Sequence, residues 1–245
     1  MKRNFKFVLA YDGTEFAGWQ SQKGSRTVQD VLESALRQLV GKKVHLVGAG
    51  RTDSGVHAQG QVAHAFLETK LSLRVIRKAL NAILPADVLV HSVRLVPAGF
   101  HARYSARFKR YQYLIWNRPA RPLFDRAQVR HIPQRLNIKA MQEAAAFLRG
   151  RRDFRAFHSS GRAVSSTVRH LRVLTVRKEH GLVRIEAEAD GFLYHMVRRI
   201  AGLLIEVGRE KVSPGDVRDL LKEKEGPSPP TAPARGLCLM QVRYS

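Results

Sequence analysis

Acidic residues are scarce in this chain. Asp and Glu total 20 against 43 Lys and Arg, giving a formal net charge of +23. That balance speaks against chemistry built on clustered carboxylates, such as a metal-dependent nuclease, which needs several acids around its magnesium. It favours a polyanionic partner instead, because each phosphate neutralised by Lys or Arg releases counterions. A surface over-charged only for solubility would carry strong self-repulsion with no partner to relieve it. Cysteine is nearly missing. The single Cys238 excludes an intrachain disulfide and a cysteine-rich metal site, and it suits a reducing compartment. Long apolar runs are missing too. No stretch nears the roughly 18 residues of a membrane span. The opening Met1-Lys2-Arg3-Asn4-Phe5 carries charge with no apolar signal region behind it. A soluble, cytoplasmic protein is the expectation.

What is present is enough for a packed fold. Hydrophobic residues make up 44% of 245 positions, which fits one large domain or two small ones. Phe5, Phe7, Leu9 and Tyr11 alternate as in a strand. A glycine-rich loop follows, from Asp12 to Arg26. Thr27 has the look of an N-cap with Asp30 as its capping-box partner. Val28, Val31, Leu32, Ala35, Leu36 and Leu39 then form one apolar stripe, ended by Gly41. Short strands are expected at Lys43 to Val47 and Gln61 to Leu67. Ser72 caps a second helix bearing Leu73, Ile76, Leu80 and Ile83, and Val88 to Val96 is a further strand. The order β-α-β-β-α-β is the split-βαβ arrangement.

The second half repeats the theme. Arg107 to Trp116 is a strand, and Arg118 to Pro133 a connecting loop. Asn137 caps a helix with Ile138, Met141, Ala145 and Leu148, ended by Gly150. His170 to Val176 and Leu182 to Ala189 form a hairpin. A largely buried helix runs from Tyr194 to Val207, Ser213-Pro214 starts another, and Leu237 to Val242 closes with a strand. Glu225 to Ala234, with four prolines, is read as irregular surface chain. The expected class is α+β. Two split-βαβ (ferredoxin-like) halves, residues 1–104 and 105–245, carry mainly antiparallel sheets, with a basic cleft between them.

The most informative segment is Gly48-Ala49-Gly50-Arg51-Thr52-Asp53-Ser54-Gly55-Val56-His57-Ala58, a loop between two strands of the first half. Its three glycines permit close backbone approach by a ligand. Arg51 and Asp53 are spaced for an ion pair. Standard motifs fail here. Gly50 and Gly55 have P-loop spacing, but Val56 stands where lysine is required. Gly48 and Gly50 begin a dinucleotide fingerprint, but Asp53 takes the place of its third glycine. The spacing of His57 and His64 matches no standard zinc site. On the residues alone, a functional carboxylate and an Asp–Arg turn that only stabilises the loop both stand.

The run GRTDSGVHA resembles the catalytic signature of the TruA-type tRNA pseudouridine synthases. Further stretches are similar to family motifs, in order along the chain. They are Tyr11-Asp12-Gly13-Thr14 with Phe16-Ala17-Gly18-Trp19-Gln20, Phe100-His101-Ala102-Arg103 and Lys109-Arg110-Tyr111-Gln112-Tyr113. Asp153-Phe154, Phe192-Leu193-Tyr194-His195-Met196-Val197-Arg198 and Thr231-Ala232-Pro233 complete the set.

The resemblance implies isomerisation of uridine to pseudouridine in tRNA, with no metal and no cofactor. It implies a site at positions 38, 39 and 40 of the anticodon stem-loop, and a homodimer. Asp53 is implied as the essential carboxylate, a nucleophile. Attack at C1′, attack on the base and removal of a sugar proton are all open to an ionised carboxylate. Arg51 is implied as its partner, Tyr111 as the aromatic residue that receives the base, and Arg198 as a second basic residue of the site. Arg199 lacks such a match and is left between solvent and a phosphate contact. Arg149, Arg151, Arg152 and Arg155, with Lys109 and Arg110, could track an RNA backbone. Trp19 and Phe16 are left between stacking on RNA and packing. His101, His158 and His195 receive no catalytic role.

Two rival functions follow from the same charge. A non-catalytic RNA-binding module would present aromatics on strand faces, yet no run resembles the RNP1 pattern. A metal-dependent nuclease would need more carboxylates than Asp53 in its central loop.

Overall fold

Alternation at the start of the chain sets the first sheet. In a computed structural model, which describes residues 2–159, 164–221 and 228–244, β1 (Arg3–Tyr11) buries Phe5, Phe7, Leu9 and Tyr11. It pairs antiparallel with β3 (His57–Leu67), where Ala65 and Ala63 stand opposite Phe5 and Phe7. Small residues opposite large rings let the layer fill without voids. On its other edge β1 pairs antiparallel with β4 (Val88–Val96). Helix α1 (Val28–Val40) begins where Thr27 accepts the Asp30 N–H and ends at Gly41, whose φ of 69° is the left-handed value that a C-cap requires. The two-residue strand β2 (Val47–Gly48) and helix α2 (Leu73–Ile83), capped by Ser72, complete the β-α-β-β-α-β order. Lys43 to Val47 is mostly outside any strand; Val44 and Leu46 are buried, but only Val47 and Gly48 join the sheet.

The chain divides into two units, Met1–Arg107 with Leu239–Ser245, and Phe108–Cys238. The last strand, β10 (Leu237–Arg243), lies beside β3, so the first unit's sheet order is β4-β1-β3-β10. Gly60 permits that approach. A Cβ there would stand 2.2 Å from the Met240 carbonyl oxygen.

The second half of the chain repeats the order and closes with β10, while the other strands of the repeat lie in the second unit. Its strands are β5 (Phe108–Trp116), β6 (Arg130–His131), β7 (Gly150–Asp153), β8 (Val168–Glu179) and β9 (Leu182–Ala189), arranged β5-β9-β8-β7 with β6 parallel to β5. The loop expected from Arg118 to Pro133 thus contains a strand. The hairpin between β8 and β9 turns on His180 and Gly181, at φ 49° and 84°. Two successive positive φ values are what a two-residue type I′ turn needs. Helices α3 (Ile138–Leu148), α4 (Met196–Gly208) and α5 (Pro214–Leu220) follow as expected, α5 with a complete capping box on Ser213 and Asp216. Of the proline-rich stretch from Glu225 to Ala234, residues 225–227 lie outside the described residues. The fold is α+β, with a split-βαβ order in each half of the chain.

Candidate active site

Asp53 sits at the start of a turn in the first unit. The Val56 N–H donates to the Asp53 carbonyl at 3.2 Å, and Gly55, at φ 75°, takes the position where a type II turn needs positive φ. Arg51 is exposed, Asp53 is half-buried, and Thr52 between them is buried. Alternation through the loop therefore turns Thr52 inward. Its Oγ1 lies 2.8 Å from Tyr11 Oη, in a buried hydrogen bond. Gln61, fully buried on β3, donates from Nε2 to the Gly50 carbonyl at 2.9 Å and reaches Tyr11 Oη at 3.4 Å. A closed polar floor thus lies under the loop. Buried polar groups that satisfy one another in this way fix a single geometry.

The other wall is the first glycine-rich loop. The Trp19 N–H donates to the Thr52 carbonyl at 3.1 Å, and the Phe16 carbonyl accepts from the Gly55 N–H and from Ser54 Oγ, each at 3.2 Å. Three glycines allow the contact. A Cβ on Gly13 would stand 2.1 Å from the Val56 oxygen, one on Gly18 2.7 Å from the Thr52 oxygen, and one on Gly48 2.6 Å from the Trp19 ring. Trp19 and Phe16 are each 2% exposed, so they are packing anchors for the loop pair and present no face to RNA. His57 Nδ1 accepts the Gly13 N–H at 3.1 Å, tying the end of the Asp53 loop to the start of the other.

Tyr111 and Arg198 lie in the second unit. Tyr111, opposite Ala187 on β9, packs its ring edge-on to Phe192 at 5.2 Å. Arg198, in the first turn of α4, is half-buried. Its Nε donates to the Ala232 carbonyl at 2.8 Å, and its own carbonyl accepts the Ala232 N–H at 3.0 Å. The Thr231-Ala232-Pro233 stretch is thus clasped to α4. Gly202 makes room, since a Cβ there would stand 1.9 Å from the Pro230 oxygen. Tyr113 holds the far side of the stretch by donating to the Pro233 carbonyl at 3.0 Å, and burial pushes its phenol up to about 12. The sequence places Arg198 in an apolar helix; this clasp shows how its polar side chain is accommodated there.

The whole chain can be set beside known proteins. A family model described as tRNA pseudouridine synthase matches residues 8–105 and 144–245. The chain is 45% identical over 243 residues to tRNA pseudouridine synthase A of Thermoanaerobacter sp. (strain X514), covering 99% of this chain and all of the relative. It is 43% identical over 247 residues to the protein of that name from Ruminiclostridium cellulolyticum, covering 99% and 100%. It is 42% identical over 246 residues to that from Geobacillus kaustophilus, covering 100% and 95%. The chain belongs to the tRNA pseudouridine synthase family. It is an enzyme of the TruA type.

Within that family frame, several basic residues of this synthase resolve as struts. Arg199 Nη1 donates to the carbonyls of Ala156 and His158 at 3.1 and 2.9 Å, and burial lowers its guanidinium from the usual range. Arg110 pairs with the buried carboxylate of Glu188 at 2.9 Å, while Arg172 approaches it at 3.6 Å. Arg155 is bound to Asp153, whose carboxyl is held below its usual value first by that hydrogen bond. Arg149, Arg151 and Arg152 are exposed. Among the described residues no group of three or more His, Cys, Asp and Glu is arranged to hold a metal ion, and no helix is long and apolar enough to cross a membrane.

The polar floor of Tyr11, Thr52 and Gln61 is absent from the expected site residues. A signal existed for two of them. Tyr11 ends an alternating strand inside a family-like run, and Thr52 lies within the central motif. Gln61 had none.

Proposed function

We propose that this synthase converts uridine to pseudouridine in the anticodon stem-loop of tRNA, at positions 38, 39 and 40, with Asp53 as its nucleophilic carboxylate. The C1′–N1 bond breaks and a C1′–C5 bond forms. The C5 hydrogen leaves as a proton and N1 takes one up, so the reaction needs no redox partner. The observation that carries this reading is the placement of Asp53 on a glycine-assisted turn above a closed polar floor, in a chain whose family is shown. Such a mount holds a reacting group in one geometry, which is how positioning lowers a barrier.

Arg51 serves as the cation that pairs with the Asp53 carboxylate. Tyr111 offers a ring to the base once it has left its stack. Arg198, held to the Ala232 carbonyl through Nε, is the second basic residue of the site. The enzyme works in the cytoplasm, as a homodimer. The test is an assay on unmodified tRNA in the presence of a chelator, with pseudouridine mapped by position. Wild-type protein should form it at positions 38 to 40, and Asp53→Ala should bind tRNA but form none. Pseudouridine made by Asp53→Ala would sink the assignment, and tight binding without conversion by the wild type would favour a binding module.

A further inference from the structure

The Phe100-His101-Ala102-Arg103 run finds no part in the reaction above, yet it builds a defined surface feature in the first unit. Tyr104, directly after it, is 76% exposed. Its ring lies 4.3 Å from that of His101, at 31°. His101 is fixed in place. Its Nδ1 accepts the N–H groups of Arg103 and Tyr104, both at 3.2 Å, and its backbone N–H donates to Ser105 Oγ at 3.1 Å. Behind it stands His64, 4.8 Å away and itself buried, accepting the Ala102 N–H at 3.1 Å. Tyr104 is therefore backed by a row of rings that leads into the core. The Arg103 guanidinium lies 5.6 Å from its ring centroid.

We infer that Tyr104 is a stacking platform for an unpaired base of the substrate RNA, remote from the uridine that reacts. This rests on the reading of RNA as substrate. A ring held by its neighbour loses little freedom when a base settles on its exposed surface, and such stacking tolerates any base because each has a π face. The adjacent Arg103 suits a nucleotide, whose phosphate follows its base. The remoteness follows from β3. His64 and His57 lie seven residues apart on that strand, and the Asp53 loop ends at His57. At roughly 3.3 Å per residue the two ends are on the order of 20 Å apart. Tyr104 therefore grips RNA without touching the reacting bond, and it acts on KM rather than on kcat.

The test compares wild type, Tyr104→Ala and Tyr104→Phe, all full-length, on one unmodified tRNA transcript. Tyr104→Ala should weaken binding and raise KM by about tenfold, the lower part of the range for loss of one stacked base, with kcat kept. Tyr104→Phe should stay within about twofold of wild type for the same reason. Unchanged binding and KM in Tyr104→Ala would overturn the proposal, and so would a loss confined to kcat. A shift in oligomeric state on gel filtration with tRNA affinity intact would overturn it too, making the ring a protein contact. A wild type that binds tRNA without forming pseudouridine would sink the reaction assigned above, while the binding comparison would still decide the platform.

Discussion

Tyr11 Oη and Thr52 Oγ1 meet at 2.8 Å beneath the loop that carries Asp53. The pair joins the last residue of one strand to the residue just before the carboxylate. Tyr11→Phe keeps the ring and removes the hydroxyl, leaving the Thr52 hydroxyl and the Gln61 amide each short of a partner. About 1–2 kcal/mol of stability should be lost, read by urea denaturation. Single-turnover pseudouridine formation should slow by more than tRNA binding weakens. Equal turnover in the destabilised variant would mean that the floor supports the fold without positioning Asp53.

The fit of the two glycine-containing loops gives a second expectation. A methyl at Gly13 would meet the Val56 oxygen at 2.1 Å, whereas one at Gly99 meets nothing within 4 Å. Gly13→Ala should therefore shift the Asp53 loop and lose about 1–3 kcal/mol, with turnover falling alongside. Gly99→Ala should stay within about 0.5 kcal/mol of wild type. Thermal melts and turnover of the two variants, measured in parallel, check both.

Much of the fold is legible in the sequence. The alternation of Phe5, Phe7, Leu9 and Tyr11 gave β1, and caps at Thr27, Ser72, Asn137 and Ser213 gave four helix starts, because these signals act over a few residues. The element order gave the α+β class. The contact between the loop of Trp19 and the loop of Thr52 left no trace in either segment, since it depends on which glycines face which carbonyls. Strands β6 and β7 are too short to show a period. Arg198 and Arg199 are neighbours of one chemistry, and only the carbonyls that each meets separate them. Tyr111 and Arg198 entered by resemblance, which carries information that local physics does not.

Acid should weaken the first unit through His64. Burial, followed by the charge of His101, lowers this imidazole below its ordinary value of 6.5. Its Nδ1 accepts the Ala102 N–H, a bond that protonation there would break. The unfolded chain takes up the proton near the ordinary value while the folded one resists. The contribution is thus full above about 6.5 and lost as pH falls through the lowered folded value. Melting temperature followed from about pH 8 to 5 should drop on the acid side. His64→Gln, which keeps an acceptor but does not titrate in this range, should flatten that drop. An identical acid limb in the variant would assign it to other groups.

Arg198 and Arg199 offer the sharpest separation. Arg199 spans two carbonyls, at Ala156 and His158, and is partly desolvated there. Arg198 meets Ala232 through Nε. Truncating Arg199 to Met removes two hydrogen bonds from a charged donor and leaves both carbonyls to find water. A loss of about 2 kcal/mol is expected, with turnover per folded molecule kept. Arg198→Met loses the bond to Ala232, and its pseudouridine formation should fall by orders of magnitude if its guanidinium meets the substrate. The decisive measurement is the pair of ratios, turnover against melting temperature, for the two variants. A stable, active Arg198→Met would remove that residue from the chemistry and leave it a structural role, as the clasp on Ala232.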